Sequence, residues 1–137
     1  MFRCSFYSVD DVNIMKKERN FVTPFEEFGY EVHDGWLPIC EKVTKKIEEY
    51  NIAHSDNPIE IFQIKSKFGE LRVYLMDAST GDDVHTPEEL KPFIEEVEKE
   101  ARETCEWCGS KENVHTSSYR GWIRTLCDPC NDELRSR

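Results

Sequence analysis

An α+β fold that ends in a four-cysteine ribbon is what the sequence predicts. Three observations predict it: two stretches that repeat apolar residues every three or four positions, two alternating stretches between them, and two C-x-x-C pairs near the C-terminal end. The 137 residues suit one domain of ordinary size, or a small domain with an appendage. A hydrophobic share of 38% and an aromatic share of 12% are enough for a packed core and argue against wholesale disorder.

Residues 1–24 read as an N-terminal extension or, through Phe2, Phe6 and Tyr7, as a short strand. Thr23-Pro24 punctuates, and an α+β core spans 25–104. Trp36, Cys40, Val43, Ile47 and Tyr50 form the stripe of an amphipathic helix over about 36–50, with Glu41, Lys42, Lys45, Lys46, Glu48 and Glu49 outward. Asp34 is placed to cap it, and Pro38 falls in its first turn, where proline is tolerated. After a polar loop from Asn51 to Pro58, Ile59–Ser66 reads as a strand, Lys67-Phe68-Gly69 as a turn and Leu71–Met76 as a returning strand. Period two turns Leu71, Val73 and Leu75 toward the core with Phe62 and Ile64, and leaves Gln63, Lys65, Arg72 and Tyr74 on the other face. Thr86-Pro87-Glu88-Glu89 matches a capping box for a second helix, striped by Leu90, Phe93, Ile94, Val97 and Ala101 to about residue 103. Pro92 kinks that helix or moves its start. Its acidic outer residues Glu95, Glu96, Glu98 and Glu100 read as solvated.

Residues 105–137 form the ribbon, packed on the core. Cys105-x-x-Cys108 and Cys127-x-x-Cys130 are separated by 18 residues, a spacing that lets two knuckles converge four thiolates on one tetrahedral Zn²⁺. Gly109 suits the tight turn after the first pair. Four unrelated buried cysteines, or two disulfides, are the competing readings, and the paired spacing favours zinc. A closed four-thiolate site is structural, because catalytic zinc keeps a position open for water. No apolar run approaches the ~20 residues that span a bilayer, and the opening Met1-Phe-Arg-Cys-Ser-Phe-Tyr does not read as a signal peptide. The expectation is a cytoplasmic, reducing setting, which favours metal over disulfides. Cys40, on the helical stripe, reads as a small buried hydrophobe; Cys4 is uninformative.

The net charge of −10 lies entirely in residues 1–104, since the remaining 33 residues carry five acids and five Lys/Arg. An acidic body argues against duplex binding, which needs a basic face. It suits solubility or a basic protein partner. Within the ribbon, 117–126 reads as the strand leading into the second knuckle, with Arg120, Trp122 and Arg124 on one face and Tyr119, Ile123 and Thr125 on the other. Two guanidiniums flanking an indole suit carboxylates, phosphates or an unstacked base. The simpler reading is that Trp122 packs over the metal or a neighbouring helix while the arginines snorkel.

His115, between the knuckles, reads as a hydrogen-bonding residue near the metal rather than a fifth ligand. Val114-His115 with Leu126-Cys-Asp-Pro-Cys-Asn131 resembles the zinc-bearing branch of HNH nucleases, but Asn113-Val114 precede the histidine where that motif needs an Asp or His. Asp56, Glu60, Gln63 and Lys65 lack the separation of a restriction-type nuclease core, and no phosphate loop, nucleophile elbow or His-Glu-x-x-His is present. A catalytic His33–Asp34 pair is explained more simply by Asp34 as a cap and Trp36 as a core anchor.

Phe28-Gly-Tyr-Glu-Val-His-Asp-Gly-Trp36, Gln63-Ile-Lys-Ser-Lys-Phe-Gly-Glu-Leu-Arg-Val-Tyr74, Cys105-Glu-Trp-Cys-Gly109 and Gly121-Trp-Ile-Arg-Thr-Leu-Cys127 together resemble a family of small phage and bacterial zinc-ribbon proteins. The resemblance spans about residues 25–130 and implies an origin and a ribbon rather than an activity. Family members commonly carry a cysteine where this chain has His33. The functional expectation is a non-enzymatic, zinc-stabilised regulator, phage-encoded, that docks on a host protein such as a basic nucleic-acid or defence protein. Its expected contact residues are Lys65, Lys67, Arg72 and Tyr74 on the hairpin and Arg120, Trp122 and Arg124 on the ribbon. A nucleic-acid binder using the ribbon face and an HNH-like nuclease are the alternatives.

Overall fold

A computed structural model describes residues 21–137. The strand expected at Phe2, Phe6 and Tyr7, and Cys4, lie outside the described residues. The chain runs through α1 (Pro24–Phe28), β1 (Tyr30–Glu31), a 3-10 turn (Asp34–Trp36), α2 (Leu37–Ala53), β2 (Ile59–Lys67), β3 (Glu70–Asp77), β4 (Asp83–Val84), a second 3-10 turn (Glu88–Leu90), α3 (Lys91–Arg102), β5 (Val114–Tyr119), β6 (Trp122–Cys127) and α4 (Asp128–Arg135). Strands β1 to β4 form one sheet in sequence order, parallel only between β1 and β2, and β5–β6 form a separate antiparallel pair. This is the α+β fold with a cysteine ribbon that the sequence predicts.

The helical stripe does its expected work. Trp36, Ile39, Cys40, Val43 and Ile47 pack against Ile59, Ile61 and Ile64 of β2, Leu71 and Leu75 of β3, and Leu90, Val97 and Ala101 from the α3 region. Each fully buried aliphatic side chain contributes roughly 1.5–3 kcal/mol, so these thirteen buried residues form the main apolar store of the fold. Cys40 is fully buried, and burial, with Glu106 and Glu41 nearby, pushes its thiol up to about 12. It is an inert core residue.

Helix starts differ from the sequence reading. Asp34 does not cap α2: it opens the 3-10 turn, and α2 continues from Trp36 without a side-chain cap. Thr86 does not cap α3 either. Pro92 moves the start, so that α3 begins at Lys91 behind the Glu88–Leu90 turn, and Glu89 instead meets His54 Nε2 at 2.7 Å. The capping box forms at Thr23, whose hydroxyl accepts from Glu26 N–H while Glu26 accepts from Thr23 N–H. On the outer side of α3, Glu100 is not merely solvated. Lys42 and Lys111 bind it at 2.8 and 3.2 Å, joining α2, α3 and the ribbon.

Strand β2 carries a bulge. Ile61 pairs with Leu75 but Gln63 with Tyr74, so Phe62 is the extra residue. The bulge keeps Ile59 and Ile61 in phase with Ile64 on the core face and removes Phe62 from it, correcting the strict alternation. Gln63, Lys65, Arg72 and Tyr74 share the opposite face, as expected.

Helix α2 also runs past the expected end to Ala53, because Asn51 is used as a buried connector. Its amide donates to Ile59 C=O and accepts from Ile59 N–H, both at 2.9 Å. Asn51→Ala leaves both strand groups unpaired in the core and is expected to cost about 2–4 kcal/mol, measured by urea unfolding. A loss under about 0.5 kcal/mol, the surface norm, would refute this connector role.

Candidate metal centre

The first knuckle begins one residue after Thr104 leaves α3, and the second spans the β6–α4 junction. These two chain reversals bring the Sγ atoms of Cys105, Cys108, Cys127 and Cys130 within 4.8 Å of one another. Cys108 Sγ and Cys127 Sγ are 3.6 Å apart. Zn–S bonds of about 2.3 Å in a tetrahedron require sulfurs about 3.8 Å apart, so the set fits one tetrahedral metal ion. Cys105 and Cys127 are buried, Cys130 is half-buried and Cys108 is exposed, which leaves one side of the centre at the surface.

The electrostatics favour a cation. Burial pushes the Cys105 thiol up, but the backbone N–H groups of Cys108, Cys127 and Trp107 aim at its sulfur and bring it down to about 7. Burial pushes Cys127 up; its bond from Cys130 N–H opposes this, while the Cys108 and Cys105 sulfurs raise it further. Cys130 is pushed up by burial and then by the other three sulfurs. The Cys105 thiolate forms readily while Cys127 and Cys130 resist joining it, a repulsion that a bound divalent cation removes.

The knuckle is built into the core. Glu106, between the first two ligands, is fully buried. Its C=O accepts from Gly35 N–H at 2.8 Å and its N–H donates to Thr125 C=O at 2.9 Å. Its carboxylate accepts from Ser66 Oγ at 3.1 Å and His33 N–H at 3.4 Å. Trp36 Nε1 donates to Thr104 C=O at 2.8 Å, one residue before the first ligand. From the other side Thr125 Oγ1 donates to Gly69 C=O at 2.6 Å, seating the β2–β3 turn on the ribbon. His33 serves through its backbone, while its ring lies edge-on to Trp107 at 6.1 Å. His115 meets Asp128 at 3.5 Å, in an exposed pair beside the second knuckle, and is not a ligand.

The ribbon's candidate binding residues are arranged differently from the single strand read in the sequence. Residues 114–127 are a two-stranded hairpin, because Arg120 and Gly121 both take positive φ, 54° and 84°, and turn the chain back. Arg120 is therefore in the turn. Trp122 and Arg124 share a strand face, joined by Tyr119, which pairs directly with Trp122; Ile123 and Thr125 occupy the opposite face against Gly69. Trp122 does not pack over the metal or a helix. It is 64% exposed, with the Arg124 guanidinium 5.4 Å from its ring centre. A non-glycine residue in the left-handed region costs roughly 1 kcal/mol, and the chain accepts this at Arg120 and at Phe68 of the β2–β3 turn.

On the hairpin face, Lys65 lies 5.8 Å from the Tyr74 ring, Lys67 lies 5.5 Å from the Phe68 ring and Arg72 pairs with Glu70 at 2.9 Å. Among the described residues, no hydrogen bond, ion pair or ring contact joins this set to the ribbon set. Sequence reasoning passed over Glu106 and Gly35, which hold the centre to the core. The signal was their position inside two compact motifs, Cys105-Glu-Trp-Cys and His33-Asp-Gly-Trp. Among the described residues no helix is long and apolar enough to cross a membrane. Comparison with protein-family models, with curated proteins and with solved structures finds no match.

A Cβ at Gly35 would stand 2.2 Å from Cys105 O and 2.6 Å from Glu106 O, both backbone atoms. Gly35→Ala therefore forces the knuckle away from α2. It is expected to cost about 3 kcal/mol and to weaken metal binding, read as a lower metal-dependent unfolding midpoint. A midpoint equal to that of the unaltered chain would refute the contact.

Proposed function

We propose that the bound metal is a structural Zn²⁺ and that the protein is a non-enzymatic binding module that docks on a partner protein and alters its activity. The observation that carries this reading is the closed ligand set. Four cysteine sulfurs take all four positions of a tetrahedral ion, which leaves none for a water or substrate. Soft thiolates in a tetrahedral set suit zinc. The ion's chemistry in such a site is cohesive: it fixes two knuckles, and Glu106 passes that order to the core.

The partner proposed is a host protein, with this chain supplied by a phage and acting in the host cytoplasm. The resemblance to phage and bacterial ribbon proteins supports that setting. The −10 charge supports a basic target, such as a protein that handles nucleic acid or serves in defence, because opposite charge speeds encounter and rejects wrong partners. Lys65, Lys67, Arg72 and Tyr74, side by side on one sheet face, are assigned to the contact, where they meet an acidic patch of the partner while the acidic body faces its basic surface.

Purified protein is expected to carry one zinc per chain by elemental analysis, and chelation is expected to disorder the ribbon, because metal binding is coupled to folding. Exposed Trp122 and half-buried Trp107 report that change by fluorescence. A chain that loses its metal with no spectral change would overturn the structural role.

For the partner, a tagged chain should enrich one protein from nuclease-treated lysate. The purified pair should rebind, and Arg72→Glu should weaken it. Absence of a partner that rebinds after purification would sink the protein-docking reading.

A further inference from the structure

The end of the β5–β6 hairpin gathers three guanidiniums around two rings. Arg120 and Arg135 each place a guanidinium 5.1 Å from the Tyr119 ring centre, and Arg124 places one 5.4 Å from that of Trp122. Tyr119 and Trp122 are directly opposite in the strand register, which sets their Cβ atoms roughly 5 Å apart. Arg135 reaches in from α4 and donates to Ser118 C=O at 3.3 Å.

None of the three arginines forms an ion pair with a described carboxylate. That is informative in a chain with 28 acidic residues, where carboxylates are abundant. The three are stacked on rings, and apart from the one Arg135 N–H given to Ser118 their N–H edges face no described acceptor and can meet an anion. Arg120 also holds a left-handed backbone position that asparagine or glycine occupies with less strain.

We propose that this tip binds short single-stranded nucleic acid, with the guanidiniums on phosphates and an unstacked base on the exposed face of Trp122. An acidic peptide would satisfy the guanidiniums and leave both rings idle. A nucleotide uses both features, because each unit brings one anion and one flat π-face. A duplex needs a broad basic surface, which an acidic body denies it. A single strand is thin enough to meet the tip alone. This inference reassigns Arg120, Trp122 and Arg124 from the protein contact expected of them in the sequence, and leaves that contact to Lys65, Lys67, Arg72 and Tyr74.

The test uses the full zinc-loaded chain at low salt with a labelled oligothymidylate of about ten nucleotides, in the range such sites cover. A glutamate-rich peptide of equal charge is the comparison. The oligonucleotide is expected to bind, and three phosphate contacts on a single strand give a slope of log K against log salt of about −2. Trp122→Ala should weaken binding about tenfold or more, without unfolding the chain, since the ring is exposed. Arg120→Asn should weaken binding while the unfolding midpoint holds or rises, because Asn-Gly is the favoured pair for this turn. Three results overturn the proposal: no oligonucleotide binding, equal or tighter binding of the peptide, or binding by both variants as strong as that of the unaltered chain. Any of these leaves the capture of a protein from nuclease-treated lysate as it was, so the two readings fail separately.

Discussion

The insertion of Glu106 between ribbon and core is the contact on which the rest of the structure depends. Its two backbone bonds run in opposite directions, one to Gly35 before α2 and one to Thr125 in β6. Its side chain reaches Ser66 at the end of β2 and the backbone of His33. A four-sulfur centre alone would fix only the two chain reversals that carry the ligands. Through this residue the order continues into the helix and the sheet. Burying a carboxylate is costly unless it is hydrogen-bonded, and here two donors from separate elements meet it. The residue thereby ties the ribbon to the core, since three of its four bonds, to Gly35, Ser66 and His33, cross from one to the other.

Much of this was legible in the sequence, and the failures have physical causes. The zinc knuckles, the α2 stripe and the β2–β3 hairpin were readable because each depends on local spacing. The caps were not, for an instructive reason. Thr23-Pro-Phe-Glu26 and Thr86-Pro-Glu-Glu89 have the same pattern, yet only the first forms a reciprocal cap. The second lies ahead of Pro92, which sets its own helix start, and its glutamate is drawn to His54. Tertiary demand decided between two equal local signals. The Phe62 bulge did leave a trace that was passed over: the alternation of Ile59-Glu-Ile61 changes phase at the adjoining apolar pair Ile61-Phe62 before Gln-Ile64. The ribbon hairpin was misread as one strand because Arg120-Gly121 lacks the asparagine that usually announces such a turn. The expectation that Trp122 packs over the metal or a helix had another source, the frequency of tryptophan in the cores of small domains.

Charge and shape divide the surface. The excess of acids lies outside the ribbon, and Lys42 and Lys111 tie one of them, Glu100, into the packing. The ribbon is neutral overall, but its arginines are concentrated at one end. The two hairpin turns share one construction, a bulky residue at positive φ followed by glycine: Phe68-Gly69 and Arg120-Gly121. One of these glycines is locked against the ribbon, since a Cβ at Gly69 would meet Thr116 at 2.8 Å, whereas a Cβ at Gly121 would meet nothing. The first turn is a joint and the second is free.

That free turn has a consequence for how such a chain can diverge. Gly69 at the joint faces the side chains of Thr116, Ile123 and Thr125 and accepts from Thr125, so an exchange there has to be matched by others. Arg120 and Trp122 project from the end of a hairpin whose register is fixed behind them by Thr116, Thr125 and the metal ligands. Exchanges at these two positions leave the fold's constraints untouched. The side chains at the tip can therefore change singly while the register behind them holds, which separates what the tip displays from what the base must keep.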